Sequence, residues 1–351
     1  MKDQFEAIVK EFTQNSEKLI KGYEVLSGIE QIDIATAEKS LVWQEDNVKL
    51  YRYKNDNITC SVPVLITYAL VNRYEMMDLQ PDRSIIRKLL SLGLDIYLID
   101  WGYVTRAERY LSMDDYVNGY IDGSVDYIRK AHRIDKVNLL GVCQGGTLSL
   151  IYSALHPEKV RNLITMVTPV DFSTEDGLLF RWSRYLDIDK IVDANGGVVP
   201  GELLNTAFDM LKPMSKTKKY TGIINTLDDK DKMMNFLRME KWVADSPDQA
   251  GECFRQFIKD LYQKNKLIKG ELEIGGQRVD LKKVTMPVLT IYAAEDHLVP
   301  PSATKPLNDH IGSTDKQLYE FPGGHIGVFV GARSQKELGP TVADWVKQRS
   351  R

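Results

Sequence analysis

The feature that most constrains this chain is the hexapeptide Gly141-Val142-Cys143-Gln144-Gly145-Gly146. It lies between an apolar run, Lys136–Val142, and a helical pattern, Gly145–Leu155. Glycines two positions before and two positions after a nucleophile are typical of a sharp strand-to-helix turn, because bulkier residues there would collide with the strand and the helix. With 24 glycines in 351 residues, chance flanks any one cysteine in this way with a probability of roughly 0.5%. The motif therefore predicts a strand, a strained turn that presents Cys143, and a helix.

A nucleophile on such a turn predicts an acid and then a histidine, each placed after a late strand. Asp296 follows the apolar run Pro287–Tyr292, and His325 lies in a Gly-rich loop after the strand pattern Gln317–Phe321. Glu295 competes with Asp296 as the acid, but the strand-end position and the shorter carboxylate favour Asp296. His325 is predicted to take the thiol proton, because the thiolate is the reactive form of cysteine.

Backbone N–H groups are predicted to stabilise the negatively charged oxygen of the reaction. The N–H of Gln144, at the start of the helix, is one candidate donor. The second donor is expected from the loop after the apolar run Val62–Leu70, where Val71 or Asn72 is the candidate.

The remaining candidates concern the substrate. Trp101 closes a strand near the expected mouth of the site and is predicted to wall the pocket. His297 either lines the same pocket or has a surface role. The stretch Lys212 to Lys219 holds four lysines and no acid, and is interpreted as a solvated face rather than as a contact for a phosphate group.

Short apolar runs alternate with helical patterns from residue 62 to residue 168, which is typical of a parallel sheet covered on both faces. This alternation of strand and helix patterns stops between Pro169 and Pro287, where the patterns are mainly helical, and it resumes after Pro287. This pattern and the turn around Cys143 predict an α/β fold of the α/β-hydrolase type, a mostly parallel sheet flanked by helices. The predicted core comprises residues 1–172 and 284–351, with a helical N-terminal segment over 1–38. Residues 173–283 are predicted to form a helical cap that excludes water.

Composition excludes several classes of function. The net charge of −3 gives no overall attraction to nucleic acid or to an anionic membrane. No uncharged apolar stretch approaches about 18 residues, so no spanning helix is predicted. The three cysteines include no C-x-x-C pair, so neither a disulfide framework nor a zinc site is expected, and no cofactor is predicted. No apolar signal core follows the first methionine, and a cytoplasmic location is expected.

Several segments resemble the polyhydroxyalkanoate synthases. Besides the hexapeptide around Cys143, they are Tyr152–Pro157, Thr168–Phe172, Trp242–Pro247, Asp296–Pro301 and Phe321–His325. The resemblance covers nearly the whole chain and is weakest before about residue 40. The short chain and Gln144 after the nucleophile resemble the catalytic subunit of the class III, two-component enzymes. The short class found in bacilli is the alternative.

The resemblance implies that the chain polymerises (R)-3-hydroxyacyl-CoA, mainly 3-hydroxybutyryl-CoA, into polyester and releases CoA. It implies that Cys143 carries the acyl chain, that His325 activates Cys143, and that Asp296 activates the 3-hydroxyl of the incoming unit. Spacing alone would instead make Asp296 the residue that orients His325, and both roles stay open here. The resemblance also implies a noncatalytic second subunit (PhaE type), a homodimer or higher oligomer, and association with the surface of polyester granules.

Two other functions compete with polyester synthesis. The first is a hydrolase with a cysteine nucleophile, similar to dienelactone hydrolases or to a thioesterase. The second is a noncatalytic granule-associated protein that retains the fold. A cysteine nucleophile favours transfer over hydrolysis, because a thioester keeps the potential to acylate a hydroxyl if water is excluded.

Overall fold

One eight-stranded sheet organises the chain in the computed structural model, which describes residues 21, 23, 27–29, 31–211, 227 and 229–350. In chain order its strands are β1 (Lys39–Glu45), β2 (Val48–Tyr53), β3 (Val64–Thr67), β4 (Ile96–Asp100), β5 (Val137–Val142), β6 (Val160–Met166), β7 (Val288–Ala293) and β8 (Lys316–Phe321). They lie in the spatial order β1-β2-β4-β3-β5-β6-β7-β8. β2 is antiparallel to both of its neighbours, and the other pairs in the sheet are parallel.

The central strands are mostly apolar and are buried on both faces. Every residue of β3, β4, β5 and β7 is buried. Neighbouring side chains of β3 enter different apolar cores, since Leu65 lies in one core and Val64 and Ile66 lie in the other. Two cores on opposite faces of a parallel sheet confirm the predicted α/β architecture.

Helices that follow the strands cover these two cores. α1 (Ile85–Ser91), α2 (Asp122–His132) and α3 (Gln144–Leu155) follow β3, β4 and β5 in the chain. A π-helical segment, Asp115–Ile121, leads directly into α2, and 3₁₀ turns occupy Tyr74–Met77 and Pro157–Lys159. A short antiparallel pair, Asp78–Gln80 with Arg83–Ser84, precedes α1.

The connection from β6 to β7 is long and helical. Its described helices are α4 (Leu178–Ser183), α5 (Ile188–Ala194), α6 (Gly201–Leu211), α7 (Lys230–Ala244), α8 (Gly251–Gln256, continued by the π-helical segment Phe257–Gln263) and α9 (Lys266–Lys269). Two short strand pairs, Val198–Val199 with Gln249–Ala250 and Glu273–Ile274 with Gln277–Arg278, and a 3₁₀ turn at Leu281–Lys283 complete it. These helices confirm the mainly helical pattern predicted for this stretch. The division into a core and a cap over 173–283 stays a prediction, and residues 212–219 lie outside the described residues.

The C-terminal part returns to the sheet. α10 (Pro301–Thr304) and α11 (Leu307–His310) lie between β7 and β8, and α12 (Gly327–Val330) follows β8. The π-helical segment Ser334–Leu338 and α13 (Gly339–Arg349) end the described chain. Throughout the described ranges, every helix is too short or too polar to cross a membrane.

The predicted N-terminal helix over 1–38 is wrong for residues 31–38, which are non-helical; most of the earlier residues lie outside the described ranges. The cause is a tertiary contact. The N–H of Ala35 donates to the carbonyl oxygen of Asp78 at 2.8 Å, and the N–H of Ala37 donates to its buried carboxylate at 2.7 Å. These two hydrogen bonds attach the segment to Asp78, whose carboxylate also pairs with Arg87 at 3.2 Å, and such tertiary contacts override the weak local preference for helix.

Candidate active site

Cys143 occupies the turn between β5 and α3. Its φ of 52° and ψ of −123° place it in a conformation that L-residues rarely adopt. The Cys143 N–H donates to the carbonyl oxygen of Met166 at 2.9 Å, which ties the turn to β6. Cys143 is half-buried, so the strained turn presents the thiol at the ends of the parallel strands.

Close packing explains the glycines around Cys143. A Cβ on Gly145 would lie 2.3 Å from the carbonyl oxygens of Thr67 and Tyr68. A Cβ on Gly141 would lie 2.5 Å from the Cα of Gly146. Real Cβ atoms do not approach other atoms so closely, so the strand and the helix can meet at this angle only without these side chains. The glycine spacing in the sequence therefore records a steric requirement of the turn.

His325 and Asp296 meet at the ends of β8 and β7. His325 Nδ1 lies 2.6 Å from Asp296 Oδ2, and both side chains are buried. The other carboxylate oxygen of Asp296 accepts the N–H groups of Leu298 and Val299, each at 2.9 Å. The carboxylate is thus fixed by three hydrogen bonds, and it holds the imidazole with Nε2 directed away from Asp296.

Cys143 and His325 interact electrostatically, since the Cys143 sulfur contributes to the raised pKa of His325. Burial opposes protonation of His325, but the Asp296 carboxylate and the Cys143 sulfur outweigh it and raise the pKa of His325 to about 10. The structure therefore brings Cys143, His325 and Asp296 together in the order that the sequence predicted.

The two neighbours of Asp296 are placed differently. The side chains of Glu295 and His297 are exposed, whereas the Asp296 side chain is inaccessible. The backbone N–H of Glu295 donates to the carbonyl oxygen of Gly323 at 2.9 Å, which leaves its carboxylate on the surface. The geometry thus selects Asp296 over Glu295 as the partner of His325. A pocket role for His297 stays a prediction.

The loop after β3 lies against the start of α3. The N–H of Leu70 donates to the side-chain oxygen of Gln144 at 3.2 Å, which attaches the loop to the residue after the nucleophile. Asn72 has a left-handed φ of 60°. Within the described residues, the N–H groups of Val71 and Asn72 donate to no protein acceptor. This availability supports both candidates as oxyanion donors, and the assignment stays a prediction.

Trp101, the predicted wall of the substrate pocket, is buried at the end of β4. Its side chain is buried, its Nε1 donates to the carbonyl oxygen of Tyr68 at 2.9 Å, and its ring packs edge-on against Tyr116. With Leu70 it lines a small cavity that Pro247 and Gln249 of the long connection close from the other side. The lining of this cavity includes none of Cys143, Asp296 and His325, so a role for Trp101 in the substrate pocket stays a prediction.

Sequence reasoning missed an aromatic cluster beside the nucleophile. Tyr262 packs edge-on against Phe172, with ring centroids 4.8 Å apart, and lies 5.1 Å from Phe180. Burial raises the pKa of Tyr262 well above its ordinary value, and the charge of Cys143 adds to the effect. Cys143 packs against the same apolar core that contains these three rings. No local pattern could have indicated this, because the cluster forms only when α4 and α8 pack together.

This arrangement can perform nucleophilic acyl chemistry. The site combines a thiol with a buried imidazole and the carboxylate that binds it. Over the described ranges, acids, cysteines and histidines form no cluster suited to a metal ion.

Comparison with known proteins identifies the fold family and the relatives to which this chain is similar in sequence. The family model described as alpha/beta hydrolase fold matches residues 62–332. The chain is 55% identical to "Poly(3-hydroxyalkanoate) polymerase subunit PhaC" of Allochromatium vinosum, with 97% of each chain covered. It is 52% identical to the protein of the same name from Thiocystis violacea, over 98% of this chain and 97% of the relative. The Synechocystis protein of that name is 48% identical, over 95% and 91%.

Solved structures share the fold at much lower identity. A monoacylglycerol lipase of Paleococcus ferrophilus superposes with a TM-score of 0.51 at 16% identity, over 86% of this chain and 99% of that one. An alpha/beta fold family hydrolase of Bacillus anthracis has a TM-score of 0.51 at 14% identity, over 87% and 99%. At such identities the likeness supports the fold alone.

Proposed function

The chain belongs to the poly(3-hydroxyalkanoate) polymerase family within the α/β-hydrolase fold, and from this premise we propose that it polymerises (R)-3-hydroxyacyl-CoA through a thioester on Cys143. It is an acyltransferase that makes polyhydroxyalkanoate. The proposed substrate is mainly 3-hydroxybutyryl-CoA, and the proposed subclass is the class III catalytic subunit. The observation that carries the mechanism is the Cys143–His325–Asp296 series on a strained turn.

The first step loads the enzyme. The Cys143 sulfur attacks the carbonyl carbon of the acyl-CoA thioester, and His325 holds the thiol proton. The backbone N–H of Gln144 and that of Val71 or Asn72 donate hydrogen bonds to the developing oxyanion and stabilise it. The bond between carbon and the CoA sulfur then breaks, CoA leaves as a thiol with the proton from His325, and the acyl group remains on Cys143.

The second step extends the polyester. The 3-hydroxyl of another unit attacks the thioester carbon, an ester bond forms, and the sulfur of Cys143 leaves. We assign the removal of the hydroxyl proton to His325 rather than to Asp296. The Asp296 side chain is inaccessible, one of its oxygens binds His325, and the other binds two backbone N–H groups. Asp296 is therefore proposed to orient His325 and to stabilise its protonated form.

Cysteine suits this chemistry because a thioester retains the potential to acylate a hydroxyl. The same property makes the intermediate sensitive to water, so transfer requires a dry site. Residues 173–283 are proposed to act as the cap that provides it. The buried aromatic cluster around Tyr262 and Phe172 supports this role, since it brings apolar side chains from the connection to the nucleophile. The proposed reaction involves no net oxidation or reduction and needs no cofactor beyond its thioester substrate.

The assembly is also part of the proposal. The relatives are named as subunits, which supports a noncatalytic second subunit of the PhaE type. We further propose a homodimer or higher oligomer, a cytoplasmic location and association with the surface of polyester granules. His297 is kept as a candidate pocket residue.

A product assay tests the proposed function. Purified protein is incubated with 3-hydroxybutyryl-CoA, with and without a candidate second subunit. CoA release is followed with a thiol reagent, and products are separated by size. The expected result is CoA release together with high-mass polyester, both increased by the second subunit. Free 3-hydroxybutyrate as the only product would instead indicate a hydrolase.

A further inference from the structure

One segment of the β6–β7 connection holds the loop after β3. This segment, the strap, comprises residues 242–246 at the end of α7. The indole Nε1 of Trp242 donates to the carbonyl oxygen of Arg73 at 2.6 Å. The Ser246 hydroxyl can donate to the side-chain oxygen of Asn72 at 2.5 Å, which is nearer than its other acceptors, the side-chain oxygen of Asn205 at 3.0 Å and the carbonyl oxygen of Val243 at 3.2 Å. From the β4 side, the hydroxyl of Tyr103 donates to the Asp245 carboxylate at 2.8 Å. The strap thus contacts two consecutive residues of the loop.

These two residues are also held from the core. The Arg73 guanidinium is buried and donates to Asp100 at 2.8 Å, at the end of β4. Asn72 has a left-handed φ, a conformation that its side-chain hydrogen bond helps to stabilise. The Asn72 side chain is held by Ser246, and the Arg73 carbonyl in the 73–74 peptide is held by Trp242, so the loop is anchored at two points directly after the Val71 and Asn72 N–H groups. These anchors restrain the backbone at Asn72 and thereby the directions in which the two N–H groups point.

We propose that Ser246 and Trp242 are positioning residues that orient the oxyanion donors of the loop, so that the β6–β7 connection completes the catalytic site of the core. The inference rests on the proposed function, because Val71 or Asn72 supplies one of the proposed donors. Among the described residues, the hydrogen bonds of the strap reach neither Cys143 nor His325, and its effect passes through Asn72 and Arg73. A donor held in place before the reaction costs no reorganisation in the transition state.

A role in attachment alone would have different consequences. Hydrogen bonds that only fasten the connection to the core would change stability and substrate affinity when they are removed. Bonds that orient an oxyanion donor act in the transition state, so their loss lowers kcat and leaves KM nearly unchanged. The two roles are therefore separable by kinetics.

The test uses Ser246→Ala in the full chain together with its second subunit. The expected result is a ten- to hundredfold lower rate of the first CoA release, with KM changed less than about twofold. Alkylation of Cys143 by iodoacetamide forms no oxyanion, so its rate should equal that of the wild type. Ser246→Thr keeps the hydroxyl and should restore most of the CoA release. Trp242→Phe replaces the buried indole with a smaller aromatic ring and removes the N–H. It should reproduce the kcat defect, and a urea unfolding curve measures the separate effect of the lost volume on stability.

Two controls isolate the contact. Ser183→Ala removes a buried hydroxyl of the same connection that donates to the Leu179 carbonyl at 2.7 Å, and it should leave kcat unchanged. Asn72→Gly permits the left-handed φ but removes the acceptor, so its effect and that of Ser246→Ala should not add in the double variant. Wild-type acylation rates in Ser246→Ala would overturn the inference. Absence of CoA release by the wild-type protein would instead overturn the proposed function.

Discussion

The turn around Cys143 and the strap hold the same site by different physical means. At the turn, close packing permits only glycine at Gly141 and Gly145, because a Cβ at either would overlap neighbouring atoms at 2.3–2.5 Å. In the strap, single hydrogen bonds from Ser246 and Trp242 fix the loop, and no steric rule demands these residues. The first region leaves a spacing pattern in the sequence, and the second does not. The contrast suggests that the core supplies the reacting groups, whereas the connection tunes how well they work.

Removal of the nucleophile at the turn is expected to have the largest effect on activity. Cys143→Ala should reduce CoA release from 3-hydroxybutyryl-CoA by about 10⁴-fold or more, because no other group can form the thioester. Cys253→Ala, a buried cysteine of α8 in the connection, is the matched control and should keep wild-type release with a stability loss of about 1 kcal/mol. Circular dichroism checks the fold of both variants. Normal CoA release by Cys143→Ala would show that the turn is not the active site.

Asp296→Asn should produce the next largest effect. The amide keeps the size of the side chain but loses the charge that raises the pKa of His325. Both the first CoA release and polymer growth should fall by about 10²- to 10⁴-fold, because His325 serves both steps. Single-turnover acylation and steady-state polymer formation are measured separately. Normal acylation with blocked growth would mean that Asp296 activates the substrate hydroxyl.

The water-excluding role of the connection predicts a smaller effect on products. Val192→Ala on α5 should destabilise the connection by about 1–3 kcal/mol and raise free 3-hydroxybutyrate severalfold relative to polymer. Val125→Ala on α2 makes the same change at an equally buried site of the core. Its product ratio should match that of the wild type. Equal ratios in the two variants would count against the connection as a water barrier.

The sequence predicted the core better than the connection, for physical reasons. The strands of the sheet are apolar runs, and Gly145 and Gly141 mark a steric limit, so their patterns are local. The order of the acid and the histidine follows from the order of parallel strands, which located Asp296 and His325. The donors of the oxyanion loop are backbone N–H groups, which carry no residue signature. Tyr262 escaped notice because its proximity to Cys143 depends on packing between distant segments.

In the N-terminal segment the local sequence pattern was present but misleading. Its polar pattern, with no glycine or proline before Gly22, predicted a helix up to residue 38, yet residues 31–38 are non-helical. Local propensity is a weak prior, and here the buried Asp78 accepts two backbone N–H groups from Ala35 and Ala37. A buried acid more than 40 residues away in the chain cannot be read from the local pattern.

The smallest expected effect is a change of folding stability with pH, which tests the electrostatics of the site in the core. The pKa of His325 rises from its ordinary value near 6.5 to about 10 in the folded protein. Its charged form therefore stabilises the fold fully below pH 6.5, and this contribution is lost as the pH rises through about 10. In urea unfolding between pH 6 and pH 10, the stability advantage of the wild type over His325→Gln should shrink steadily. His132→Gln is the control. Burial lowers the pKa of His132, so the effect of this histidine on the free energy of unfolding changes only as the pH falls. Above about pH 7 the stability difference between the wild type and His132→Gln should therefore stay constant. A constant advantage over His325→Gln across this range would show that the pair of His325 and Asp296 does not carry the charge inferred from their 2.6 Å contact.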